Sequence, residues 1–131
     1  MPLKLTLKPH ERFVLNGGVL MNGDRRSDLI VENQVSLLRE RDVLKPDEAD
    51  TPMKRIYFTI MMMYLDGELE SDYYDQFSDL ITDFMCAVTT KGVVEKCHRI
   101  LDDVHEKRFY TAMMMSKSLL PFEKERLEYV Q

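Results

Sequence analysis

The sequence predicts an α+β protein, with a small β-sheet in front and a helical bundle behind. Three observations carry this. The stretch from Leu3 to Leu44 alternates apolar and polar residues with short turn signals between. "KPDEADTP" (Lys45–Pro52) breaks the composition. Beyond it the apolar residues recur at helical spacing. The expected parts are a β domain over residues 1–45 and a helical domain over 46–131.

In the opening "LKLTLK", Leu3, Leu5 and Leu7 share one face and Lys4, Thr6 and Lys8 the other, the pattern of a half-buried strand. A Pro9-His10 turn leads to "RFVLN" (Arg12–Asn16). "NGG" (Asn16–Gly18) and "NGD" (Asn22–Asp24) are hairpin punctuation, since Asn and Gly tolerate positive φ. "VLM" between them is a short strand. "SDLIVEN" (Ser27–Asn33) and "VSLLRERDV" (Val35–Val43) complete four or five strands, a small sheet or open barrel. Asp50 or Thr51 caps the first helix, with Pro52 in its first turn. Met53–Leu65 is apolar nearly all round and should be central. Asp66-Gly67 ends it, and Ser71 or Asp72 starts a helix with Tyr73, Phe77, Leu80, Ile81, Phe84 and Val88 on one face. After Gly92 a third helix places Val93, Val94, Cys97, Ile100, Leu101 and Val104 inside. A fourth runs from about Arg108 to Leu120, followed by Pro121 and a short amphipathic tail to Val130.

With 131 residues, 44% hydrophobic and 31% charged, the chain is expected to be globular and soluble. Its longest apolar run, "IYFTIMMMYL", has 10 residues, well short of the roughly 20 that span a membrane. The charged N-terminus is no signal peptide, and two cysteines without CxxC spacing fit a reduced, cytoplasmic protein. The net charge of -5 argues against a nucleic-acid partner until its distribution is considered. Up to Lys45 there are 8 Lys and Arg against 6 acids, a net of +2; the remaining 10 and 17 give -7. An anionic partner would meet the front.

No Gly-rich phosphate loop, HExxH or GxSxG is present, so the chain is read as no enzyme, with no catalytic residue, cofactor or metal assigned. His98 and His105, seven residues apart beside Cys97, lack the short spacings of a structural zinc site and are read as partly exposed helix residues. Asp72, Asp75, Asp79 and Asp83 form one acidic stripe on the second helix. It is either a solvated face, the simpler reading, or a docking stripe for a basic surface. The triplets Met61–Met63 and Met113–Met115 are either core or partly exposed at a protein interface, where adaptable methionines suit partner binding. Met113 and Met114 are the candidates there.

Among the bases, Lys4 and Lys8 share the polar face of the first strand, Arg25 and Arg26 follow the NGD turn, and Arg39 and Arg41 share a face of the last strand. If the first and last strands are neighbours, these join into one phosphate-binding patch. By periodicity alone "LLRERDVL" (Leu37–Leu44) is more simply a solubilising edge that blocks aggregation.

"PLKLTLKPHERFVLNGGVLMNGDRRSDLIVENQVSLLRERDVL" resembles the N-terminal half of the FlbT family, and "TPMKRIYFTIMMMYLDG" is similar to the family's following segment. "NGDRR", "LLRERD" and "KRIYF" are the specific combination. The resemblance implies a cytoplasmic post-transcriptional regulator of flagellin synthesis that associates with the 5′ untranslated region of flagellin mRNA, promoting decay in some members and acting positively in others. It also implies a small partner of the FlaF type. More distantly, "LKLTLKPHERFVLNG" and "LLRERDV" are similar to the first strands and last strand of CsrA, an mRNA-leader-binding β protein that forms an intertwined dimer. By that likeness Lys8 and Arg39 match RNA-lining bases, although Leu7 stands where CsrA has a second one.

The combined expectation is a CsrA-like β-sheet followed by a helical bundle. The sheet would bind the flagellin mRNA 5′ leader through Lys8, Arg25, Arg26, Arg39 and Arg41. The bundle would recruit a FlaF-type protein through the aspartate stripe and Met113 and Met114. A homodimer is carried as an alternative to the monomer, and a membrane is excluded as a partner. The rival function is a protein-interaction module of the flagellin pathway with only indirect effects on RNA.

Overall fold

The computed structural model describes residues 3–66 and 72–130. The chain divides into two compact units, Met1–Val43 and Leu44–Gln131. The first holds β1 (Leu3–Leu7), β2 (Arg12–Leu15), β3 (Gly18–Met21), β4 (Ser27–Val31) and β5 (Leu37–Arg39). The second holds α1 (Pro52–Asp66), α2 (Asp72–Ala87), α3 (Lys91–His105), α4 (Phe109–Ser118) and α5 (Leu120–Val130). The α+β reading is therefore correct.

The strands form two antiparallel sheets rather than one. Among the described residues β1 pairs with β4 alone, and a second sheet has the order β3-β2-β5. Asn16 and Gly17 both take positive φ, 49° and 86°, as the tight turn between β2 and β3 demands. It fixes the register Leu15↔Gly18, Val14↔Val19, Phe13↔Leu20 and Arg12↔Met21. Leu7, Phe13 and Leu38 are the buried anchors of this unit.

The expected last strand is cut short. Only Leu37–Arg39 is extended, and Glu40–Asp42 winds into a 3-10 turn closed by the Val43 N–H donating to the Glu40 carbonyl at 3.2 Å. Asp42, in this turn, is buried, 4% exposed. Arg41 lies in the same turn, outside the strand that carries Arg39.

In the helical unit α1 is central, as its all-round apolar character predicts: Met53, Ile56, Ile60 and Met63 are fully buried. Thr51 caps it, accepting from the Lys54 N–H at 3.3 Å. A second cap was not legible: buried Glu123 of α5 accepts from the Met53 N–H at 2.7 Å and from the Thr51 hydroxyl. The expected tail is thus a full helix, and Pro121 is its second residue, a position where a missing N–H costs nothing. Phe77, Ile81 and Phe84 of α2 and Val93, Cys97, Ile100 and Val104 of α3 are buried as expected, while Tyr73, Leu80, Val94 and Leu101 are half-buried. Val88 lies one residue past α2. The expected helix punctuation at Gly67 and Ser71 lies outside the described residues.

Candidate nucleic-acid interface

Three basic residues of the front, Lys8, Arg25 and Arg26, lie at two turns stitched together. After β1 the chain turns through Pro9 and His10, the latter in the left-handed region at φ 61°. Glu11 folds back so that its carboxylate accepts from the Lys8 N–H at 2.9 Å. The second turn follows β3. The Asn22 side-chain amide donates to the Lys8 carbonyl at 2.8 Å and to the Arg25 carbonyl at 2.9 Å, and its oxygen accepts from the Ser27 hydroxyl at 2.8 Å. Backbone bonds from His10 N–H to the Gly23 carbonyl and from Asn22 N–H to the Glu11 carbonyl close the stitch. The backbones of Lys8 and Arg25 are therefore joined through one side-chain amide, with Arg26 next in sequence. Lys8, His10, Arg12, Arg25 and Arg26 are all exposed. None of these Lys and Arg residues has an ion-pair partner among the described residues.

Arg39 has a different place. Its Nε and Nη2 donate to the Glu11 carboxylate at 2.9–3.1 Å, and Nη2 also donates to the Thr6 carbonyl at 2.8 Å. The two side chains are only 23% and 13% exposed. The Lys8 N–H, and after it the Arg39 guanidinium, hold the Glu11 carboxyl below its usual range. β1 and β5 are not paired neighbours, so no continuous basic strand face forms. Instead Arg39 ties the β2 sheet to β1 through one carbonyl and neutralises the acid embedded in the turn. Its positive charge is spent inside the fold. Lys4 is engaged too, 3.6 Å from Asp28. Arg41 is exposed on the 3-10 turn.

Glu11, Arg12 and Asn22 complete the cluster and were not singled out from sequence. Asn22 read only as a turn former, and the Glu11–Arg39 contact joins residues 28 apart. No local spacing announces such a pair.

In the helical unit, Asp72, Asp75, Asp79 and Asp83 are all exposed without an ion-pair partner among the described residues. Asp72 and Asp75 occupy the first turn of α2, where the helix dipole favours acids. Asp79 lines a groove of about 400 Å³ with Arg55, Phe58, Gln76 and Leu80. The methionine triplets are divided rather than uniform. Met61, Met63 and Met113 are buried, and Met62, Met114 and Met115 half-buried. Met113, wholly buried, is a core residue and offers nothing to a partner, which leaves Met114 from that expected pair. His105 meets the Tyr74 hydroxyl at 3.1 Å. Among the described residues no group of three or more His, Cys, Asp or Glu could hold a metal ion, and no helix is long and apolar enough to cross a membrane.

Comparison with known proteins agrees with the resemblance seen in the sequence. The chain is 45% identical over 130 residues to the "Flagellum biosynthesis repressor protein FlbT" of Caulobacter vibrioides, covering 99% of this chain and 92% of that one. It is 47% identical to a probable protein of that name from another Caulobacter species, over 99% of both chains. A probable relative from Bradyrhizobium diazoefficiens is 31% identical over 95% of this chain and 84% of its own. No solved structure gives a significant match. A family model described as "Flagellar protein FlbT" matches residues 3–127, and the chain belongs to that family.

Proposed function

We propose that this chain represses flagellum biosynthesis by binding the 5′ leader of flagellin mRNA in the cytoplasm, controlling its translation or stability. The names of the relatives, flagellum biosynthesis repressors, support the biological role. One observation carries the RNA reading: the Asn22 amide joins the backbones of Lys8 and Arg25, with Arg26 next in sequence and all three exposed, while Arg39 pairs with the carboxylate of the first turn, Glu11. Lys8, Arg12, Arg25 and Arg26 set phosphate register, with Arg41 a weaker companion. Arg39 is a positioning residue for them. No chemistry is required of the protein, and altered decay follows from changed access of ribosomes and nucleases to the leader.

Titration of the full chain onto a labelled flagellin leader at several salt concentrations tests this. Log K should fall with log salt, and the Arg25→Ala, Arg26→Ala double variant should reduce the slope by about 1.4, at about 0.7 per single-stranded phosphate contact. Absence of salt-dependent binding would sink the RNA reading.

The unpaired aspartate stripe beside the Asp79 groove favours a second reading, in which the helical unit docks a FlaF-type or other flagellin-pathway protein and effects on RNA are indirect. Replacing Asp75 and Asp79 with Asn should then weaken the protein complex while RNA affinity stays constant. Unchanged complex affinity removes this reading.

A further inference from the structure

β3 is an edge strand of unusual composition. Gly18–Met21 carries no charge and no proline, the devices that ordinarily protect an edge from pairing. All four residues are exposed, with Val19 at 74%, Leu20 at 42% and Met21 at 57%. The apolar side chains therefore lie open on both faces of the strand.

The backbone is open as well, at defined positions. The two-residue turn makes Leu15↔Gly18 and Phe13↔Leu20 the hydrogen-bonded pairs with β2. The N–H and C=O groups of Val19 and Met21 consequently point away from β2, off the edge of the sheet. No bond to either N–H is found among the described residues.

We propose that β3 pairs with β3 of a second copy of this chain, antiparallel about a two-fold axis through Leu20. The register follows from strand geometry. A two-fold axis perpendicular to the sheet preserves faces, so opposed residues must share parity. Only the outward groups of Val19 and Met21 can bond. Val19 of one protomer then lies opposite Met21 of the other and exchanges both bonds with it, twice over by symmetry. Leu20 meets Leu20 of the second copy across the axis as a non-hydrogen-bonded pair. Every exposed apolar residue of the strand gains an apolar cross-strand neighbour, on the face where it already points. This self-match selects a second copy over a foreign strand. It joins the two β3-β2-β5 sheets side by side, each strand staying in its own chain. Such a contact is not the intertwined dimer implied by the CsrA likeness, since β1–β4 and β2–β5 pair within one chain.

A four-residue edge falls below the roughly 1,600 Å² of a standard interface, so association should be a weak, concentration-dependent equilibrium with a midpoint below about 1 mM. In sedimentation velocity the full chain should move from one chain mass toward two as its concentration rises. Val19→Pro removes an outward donor that β2 does not use, and Leu20→Lys sets two ammonium groups against each other on the axis. Each should shift the midpoint upward at least tenfold with the circular dichroism spectrum unchanged. A cross-link serves if either variant misfolds. In a Cys86→Ser background, Leu20→Cys should form an intermolecular disulfide under mild oxidation, because opposed non-hydrogen-bonded Cα atoms lie about 4.5 Å apart. Val19→Cys, whose symmetry mate is a diagonal neighbour, should cross-link at least tenfold more slowly. A chain that stays monomeric up to about 1 mM overturns the proposal and leaves the edge to a foreign strand. So does equal cross-linking at the two positions.

Discussion

If Arg39 positions the basic turn rather than contacting RNA, its removal should cost stability and leave the ionic character of binding intact. Arg39→Ala deletes a two-pronged contact with Glu11 and a bond to the Thr6 carbonyl. A hydrogen bond to a charged group contributes about 1.5–3 kcal/mol when well buried. With the side chains 23% and 13% exposed, the lower end applies, and the bonds are not additive. A net loss of about 2–3 kcal/mol follows, part of it from leaving the Glu11 carboxylate without its guanidinium. Glu11→Gln retains a neutral acceptor for the Lys8 N–H and should cost about 1 kcal/mol. The chain has no tryptophan, and all its tyrosines lie at or beyond Tyr57, so intrinsic fluorescence reports the helical unit only. Amide hydrogen exchange in β2 and β5 is the appropriate probe, and about 2–3 kcal/mol corresponds to roughly 30- to 150-fold faster exchange there. The double variant should show a coupling of about 1–2 kcal/mol between the two sites. On the flagellin leader, Arg39→Ala should weaken binding without changing the salt slope, whereas Arg25→Ala should lower the slope by about 0.7. Additive exchange effects, or a slope loss in Arg39→Ala equal to that in Arg25→Ala, would refute the positioning role.

Three further outcomes follow from the same structure. Glu11 has a folded-state pKa below its unfolded value, so its contribution is fully present above the ordinary glutamate range and is lost as pH falls through the folded value; protection of the Lys8–Arg12 turn should hold from pH 7 to about 5, decline in stronger acid, and become flat with pH in Glu11→Gln. Glu123→Ala strips the N-terminus of α1 of its buried acceptor for Met53 and Thr51, and urea unfolding followed by tyrosine fluorescence should show a loss of about 3 kcal/mol, a loss under about 0.5 kcal/mol being incompatible with that cap. Burial pushes the Cys97 thiol up to about 11, so a thiol reagent at pH 8 should label exposed Cys86 in the folded chain and spare Cys97 until denaturant is added.

What could be read in advance was whatever depends on near neighbours. The alternation of Leu3, Leu5 and Leu7 gave β1, the Asn16-Gly17 pair gave the β2–β3 turn, and the all-round apolar run after Met53 gave the central helix. What could not be read depends on contacts far apart in the chain. Alternation carries "LLRERDV" onward as a strand, but closure of the turn on Glu40 and burial of Asp42 end it after Arg39. The same limit applies to the site. Lys8, Arg25 and Arg26 were legible as exposed bases near turns, while the Asn22 amide that brings them together acts across 14 residues. Arg39 stood out as an RNA ligand through the CsrA likeness, and no local pattern reveals the Glu11 carboxylate that engages it. Met113 looked like interface because a triplet must span much of a helix, and periodicity does not say which of the three faces inward.

The edge pairing of β3 bears directly on how few bases the front has to work with. Arg12 lies opposite Met21, one strand in from the proposed two-fold contact. A perpendicular two-fold keeps the Arg12 of both copies on one face of the joined sheet. Three strand spacings and a two-residue offset separate them by roughly 16 Å. At about 6 Å per phosphate in an extended single strand, both could engage one leader a few nucleotides apart, and the binding of the second becomes intramolecular. RNA affinity should then rise with protein concentration through the dimerisation range. Val19→Pro, which removes no charge and touches none of the basic turns, should weaken leader binding there and leave it unaltered at concentrations where the wild-type chain is already monomeric. Equal loss at both concentrations would mean that the two copies do not share a strand of RNA, whatever their association in its absence.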